Sequence, residues 1–161
     1  MFIQKTDIRV DLAALRKSIA EDSPKWDLRK GRICINSPDP AQEFNSIGRE
    51  LIYQEFKYVS TPFKNTVWED TLNLIPGKKT RARIMMMPWH SVLSMHRDIE
   101  RRYHIAINTD PACIFYNYEE QKGYHIPADG YLYLVDTKQI HTFMNCTKTL
   151  TRTHLVVGEY V

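Results

Sequence analysis

Between residues 78 and 161 the chain breaks into seven short runs in which apolar and polar residues alternate, each closed by turn-forming residues. The runs are 81–87, 102–107, 112–118, 123–126, 130–135, 141–145 and 151–157. Successive side chains of an extended chain point to opposite faces, so a period of two over such short lengths specifies strands with one face in a core. Many short strands divided by turn signals pack as an antiparallel sandwich or barrel. The expectation is a mainly β chain with a small jelly roll at its C-terminal end.

The residues before 78 read differently. Residues 2–10 fit an edge strand, and Asp11 caps a helix expected over 12–21, ended by Ser23-Pro24. A strand is expected around Arg32-Ile33-Cys34-Ile35, stopped by Ser37-Pro38-Asp39-Pro40. Residues 41–58 carry Phe44, Ile47, Leu51 and Phe56 at helical spacing, weakened by Gly48, and residues 60–77 read as a mixed loop. One or two helices should therefore pack on the outside of the strands. At 161 residues the chain fits a single domain, with 1–77 supporting a core formed by 78–161.

Composition excludes several classes. With 43% hydrophobic and 25% charged residues the chain is neither disordered nor a membrane protein. The net charge of +3 is dispersed over Arg29-Lys30, Lys78 to Arg83 and Arg101-Arg102 with acids between them, so no nucleic-acid partner is expected. Cys34, Cys113 and Cys146 are odd in number and far apart, which argues against a disulfide framework. Cys113 and Cys146 read as small core residues. No leader-like or membrane-length apolar run is present, so a cytoplasmic protein is expected.

The chemistry concentrates at Ser94-Met95-His96-Arg97-Asp98. On an extended segment the two-residue spacing places an imidazole and a carboxylate on one face, two legs of the facial triad of two histidines and one carboxylate that leaves open positions on Fe(II). His141, at the start of a strand, is the candidate third ligand, although alone it equally fits a satisfied buried histidine. On 102–107 one face holds Arg102, His104 and Ala106; on 151–157 one face holds Arg152, His154 and Val156. Turned inward, these faces would line a cationic mouth suited to a small carboxylate ligand; the same pattern also fits a solvent face. Arg152 otherwise pairs with an acid such as Asp136, and a one-residue slip would exchange Arg102 for Arg101. His90 and His125 read as loop residues, and Met85-Met86-Met87 as buried strand.

With His96-x-Asp98, Arg102-x-His104, His141 and Arg152-x-His154 in view, residues 80–161 resemble the aspartyl/asparaginyl β-hydroxylase-like branch of the Fe(II)- and 2-oxoglutarate-dependent dioxygenases. The resemblance implies a double-stranded β-helix with His96, Asp98 and His141 as iron ligands and Arg152 holding the distal carboxylate of 2-oxoglutarate. It implies that Arg102 and His104 lie near the co-substrate, with Arg102 also facing a substrate carboxylate, and that no catalytic residue is needed beyond the metal ligands. Gly130, opening the run before His141, fits the same layout. Some members of that branch have glycine at the carboxylate position, whereas this chain has Asp98, which points to hydroxylation rather than halogenation. The implied reaction uses Fe(II), 2-oxoglutarate and O2 to hydroxylate a small carboxylate-bearing substrate, a free amino acid or a peptide side chain, releasing succinate and CO2. The alternative is a cupin-type metal-binding protein or a metalloenzyme that is not an oxygenase, for which an arginine after the last ligand has no purpose.

Overall fold

The computed structural model describes residues 1–28, 31–41 and 53–161. Its strands are β1 (Ile3–Arg9), β2 (Arg32–Cys34), β3 (Asn36–Ser37), β4 (Tyr58–Val59), β5 (Lys78–Met87), β6 (Ser91–Val92), β7 (Arg102–Asn108), β8 (Cys113–Asn117), β9 (Lys122–Tyr124), β10 (Tyr131–Val135), β11 (His141–Asn145) and β12 (Arg152–Tyr160). Two α-helices accompany them, α1 (Leu12–Asp22) and α2 (Val67–Leu74). The larger sheet runs β1-β10-β7-β12-β5-β2 and the smaller β6-β11-β8-β9, while β3 and β4 pair separately. From β5 onward consecutive strands pass between the two sheets, with β8 and β9 the one hairpin that stays within a sheet. Eight strands wound in this way form a jelly roll, as the alternating pattern predicts.

The two faces of the larger sheet have different partners. Tyr103, Ile105 and Ile107 of β7 join Leu155 and Val157 of β12, Ala82 and Ile84 of β5 and Ile33 of β2 in an outer core. Leu15 of α1 and Trp68 and Leu72 of α2 close it from above. The Asp11 side chain accepts from the Ala14 amide, so the expected helix starts where its cap places it. The opposite face turns into the roll, where Phe2, Met87, Ala106, Phe115, Tyr133, Val135 and Phe143 form a second, inner core. Both faces of the larger sheet are thus buried, and the Arg and His residues of its inner face are enclosed rather than exposed.

Gly158 makes one close approach possible: a Cβ built there would stand 1.9 Å from Thr80 Oγ1 and 2.8 Å from Glu100 Oε1. Only a residue without a side chain lets the buried Glu100 and Thr80 pass over β12 at this point.

Several expectations change. Val67–Leu74 within the presumed loop is helical, capped by Thr66, whose hydroxyl accepts from the Trp68 amide. Its buried residues, Trp68, Thr71 and Leu72, span little more than one turn, too short a signal to stand out from a loop rich in Pro and polar residues. The helix read over 41–58 falls largely on 42–52, outside the described residues, while Tyr58–Val59 is strand. Cys146 is exposed rather than a core residue, because β11 ends at Asn145, whereas Cys113 is buried as expected. No helix among the described residues is long and apolar enough to cross a membrane.

Candidate metal centre and its pocket

His96 lies outside the regular strands but forms an antiparallel bridge with His141, the first residue of β11. The bridge is reciprocal: the His96 amide donates to the His141 carbonyl at 3.0 Å and the His141 amide to the His96 carbonyl at 2.9 Å. Directly opposed residues project on the same face, and the two imidazole centroids stand 4.6 Å apart. Asp98 is fixed one step along, its amide donating to the Thr137 carbonyl at 2.8 Å. The Thr137 hydroxyl donates in turn to the Glu100 carbonyl at 2.6 Å. The turn between β10 and β11 therefore holds the 96–100 segment in place.

The ring tautomers follow from these contacts. His96 Nδ1 lies 2.6 Å from the Ser94 carbonyl and His141 Nδ1 2.9 Å from the Gln139 carbonyl. A carbonyl oxygen can only accept, so each Nδ1 carries the proton and each Nε2 offers a bare lone pair. Burial pushes the His141 pKa below the ordinary histidine value, which keeps the ring neutral as a ligand must be. Asp98 Oδ1 lies 3.8 Å from His96 Nε2, and Oδ2 lies 3.7 Å from His141 Nε2. One donor atom from each of the three residues falls within a 4.8 Å group. Asp98 Oδ2 is buried without a hydrogen-bond partner, an arrangement that is costly unless a cation completes it. The 3.8 and 3.7 Å separations leave His96 Nε2, His141 Nε2 and the Asp98 carboxylate close enough that, with small side-chain adjustments, all three would hold one transition metal. The donor set suits a divalent transition metal, and the carbonyls behind both histidines supply the orientation such sites require.

Of the two orientations the alternation allows, the polar faces of β7 and β12 take the inward one. Arg102, His104, Arg152 and Val156 line a cavity of about 40 Å³ together with the three candidate ligands, Met85 of β5, and Phe115 and Phe143. That space holds roughly three water molecules, so a larger occupant must displace side chains at its rim. Arg102 faces inward while Arg101 turns outward to Glu159, at 2.7 Å. Arg102 Nη2 lies 2.7 Å from Asp98 Oδ1, and its Nε 3.6 Å from Glu100 Oε1. In this structure the Arg102 guanidinium thus orients the Asp98 carboxylate, leaving Oδ2 as the free donor.

Arg152 differs from Arg102. It is 3% exposed and, among the described residues, has no acid within ion-pair distance; Asp136 instead accepts from Gln139. Its Nη2 lies 2.6 Å from His154 Nδ1, which must accept, placing the His154 proton on Nε2. Its guanidinium lies 3.8 Å from the Phe143 ring centroid and 5.7 Å from that of Phe115. Burial pushes its pKa down to about 9. Arg152 Nε, His154 Nε2 and both ring nitrogens of His104 are buried and without hydrogen-bond partners. His104 meets Phe115 edge to face at 5.1 Å and stands 5.8 Å from His154. Burial, reinforced by Arg152, holds both histidines well below the usual imidazole range and therefore neutral.

Two features escape the sequence reading. Phe115 and Phe143 form the aromatic walls around Arg152, which a strand pattern marks only as core. Arg83, 6% exposed, belongs to the inner face of β5, and the alternation Arg81-x-Arg83-x-Met85 is the signal that identifies it. Of the remaining histidines, His125 Nδ1 contacts the Cys113 carbonyl at 3.0 Å, and His90 lies in the turn after β5.

No family model matches the chain, and no curated protein matches it. Among solved structures it is similar to the crystal structure of an oxidoreductase of the 2OG-Fe(II) oxygenase family from Burkholderia pseudomallei, with a TM-score of 0.48 and 15% sequence identity. That likeness covers 79% of this chain and 64% of the other, so the chain spans less than two thirds of the protein it matches.

Proposed function

We propose that this chain is an Fe(II)- and 2-oxoglutarate-dependent dioxygenase that hydroxylates a small carboxylate-bearing substrate, a free amino acid or a peptide side chain, with release of succinate and CO2. The observation that carries the reading is the coexistence, in one cavity, of the His96, Asp98 and His141 donor set with a buried arginine that has no acidic partner among the described residues. His96 Nε2, His141 Nε2 and Asp98 Oδ2 would hold the metal, and bound there iron with 2-oxoglutarate would supply oxidation of a substrate C–H bond by O2. The chain's own residues do the rest. The Ser94 and Gln139 carbonyls keep both rings in the ligating tautomer. Arg102 turns Asp98 so that one oxygen faces the metal. Arg152 offers a charged fork to the far carboxylate of the co-substrate, and the two phenylalanine rings keep water from that ion pair. His104 and His154 add neutral donors on the same side.

Anaerobic titration of Fe(II) and 2-oxoglutarate tests this, read by the weak visible charge-transfer band of the chelate on wild type, His96→Ala and Arg152→Ala. Appearance in wild type with loss or weakening in both variants, followed by succinate release with a suitable substrate, is the expected result. Metal uptake without the band in a folded, iron-loaded protein would favour the cupin-type reading instead.

A further inference from the structure

The inner face of the larger sheet carries more positive charge than the co-substrate needs. Ala82 and Ile84 of β5 pack in the outer core, so Arg81, Arg83, Met85 and Met87 face the other way. Met85 lines the metal cavity and Met87 lies in the inner core. Across the sheet Arg83 is opposite Val156 of β12 on one side and Cys34 of β2 on the other. Val156 also lines the cavity, and Arg32 is opposite Met85. Arg32, Arg81 and Arg83 therefore share one edge of the inner face with two walls of the cavity.

We propose that Arg81 and Arg83 of β5, with Arg32 of β2, form an anion subsite beside the metal position, and that the substrate docks there through a carboxylate or phosphate group. This rests on the oxygenase reading and names the substrate class it would take. Arg83 Nε is buried without a hydrogen-bond partner. Among the described residues, no acid lies within ion-pair distance of any of the three arginines; the nearest acids in the pocket, Asp98 and Glu100, are engaged by Arg102. Burial, then the neighbouring Arg102 and Arg81, push the Arg83 pKa down to about 9, a sign of like charges held together. Enclosed guanidinium groups that repel one another are costly, and an anion received between them relieves both desolvation and repulsion.

The co-substrate does not serve this purpose. Met87 is opposite Arg152, and Arg83 lies four residues back along β5. At 3.3 Å per residue the two arginines leave the sheet from rows about 13 Å apart, at opposite ends of the inner face. The two cationic ends of the inner face are separate stations, one for each organic reactant.

The test uses the full chain loaded with Mn(II) in place of iron and saturated with 2-oxoglutarate, titrated calorimetrically with inorganic phosphate and, separately, with L-aspartate. Wild type should bind at least one probe saturably, and which of the two it binds distinguishes phosphate from carboxylate. Arg83→Met and Arg81→Met should each weaken that binding by about tenfold or more while leaving the 2-oxoglutarate affinity unchanged. Unchanged probe affinity in both variants, or no saturable binding of either probe to a wild type that takes up 2-oxoglutarate, overturns the subsite. If Arg83→Met does not fold, the half-buried Arg81 decides alone. Failure of wild type to bind 2-oxoglutarate overturns the oxygenase reading; the probe titrations, repeated without it, still decide the subsite.

Discussion

Replacing Arg152 by methionine should stabilise the empty protein and abolish its response to 2-oxoglutarate. The guanidinium is 3% exposed, and burial lowers its pKa to about 9, well below the ordinary arginine value of the unfolded chain. Because the folded value is the lower one, the charged form is disfavoured by folding. The resulting destabilisation is full below about pH 9 and fades as pH rises above it. At neutral pH the shift corresponds to a cost on the order of 5 kcal/mol. Two contacts offset it: the guanidinium over Phe143 contributes about 2 kcal/mol, and removing Arg152 leaves His154 Nδ1 without its donor, costing about 1 kcal/mol. Methionine fills comparable volume between the two rings, so the net gain is about 2 kcal/mol. For a chain of this length that is a Tm rise of about 4–8 °C without ligand. Wild type should gain Tm with 2-oxoglutarate and Mn(II), whereas Arg152→Met should gain with Mn(II) alone and no further with the co-substrate. Differential scanning fluorimetry with and without each ligand reads all four states. A fall in Tm of the empty variant by several degrees would show that Arg152 is a structural brace, and the assignment to a carboxylate ligand would fail.

The other predictions concern separate parts of the site. Arg102→Gln removes the 2.7 Å contact to Asp98 and should lower metal affinity about 10- to 100-fold, measured by competition with a chromogenic chelator; unchanged affinity would show that Asp98 needs no partner. Phe143→Ala, at a residue 3% exposed, should cost about 3–4 kcal/mol in urea unfolding and weaken 2-oxoglutarate binding; a loss below 1 kcal/mol would mean that the inner core collapses around it. Gly158→Ala forces a Cβ against Thr80 and Glu100 and should cost about 2 kcal/mol by the same assay, with a wild-type Tm refuting the close approach. The folded-state pKa values of His104 and His154 lie well below 6.5, so the unfolded chain binds more protons as pH falls below 6.5. The metal-free protein should therefore lose stability on acidification from that point, and His104→Phe should flatten the slope; a flat wild-type profile between pH 7 and 5 would contradict their neutral burial.

The jelly roll is legible in the sequence because a period of two needs no partner to be recognised. The run His141–Asn145 is a strand with those bounds, and alternation alone groups Arg102 with His104 on one face of β7 and Arg152 with His154 on one face of β12. The two-residue spacing of His96 and Asp98 likewise marks a shared face whatever the surrounding fold. Alternation cannot say which face is enclosed, nor which side chains meet across strands distant in sequence. The reciprocal bridge of His96 to His141 is a product of strand order, as is the contact that ties Arg102 to Asp98 instead of leaving it free for a ligand. The absence of an acidic partner within ion-pair distance of Arg152 among the described residues is also decided by packing, since the sequence leaves an ion pair with Asp136 open as the lesser alternative. Helix α2 escapes the local pattern for a related reason: eight residues with three buried positions, one of them the polar Thr71, specify a helix only once the outer face of the β-sheet is present to cover them. The local pattern determined the elements and their faces, while tertiary structure decided which charges are paired, because pairing depends on distances that no single strand contains.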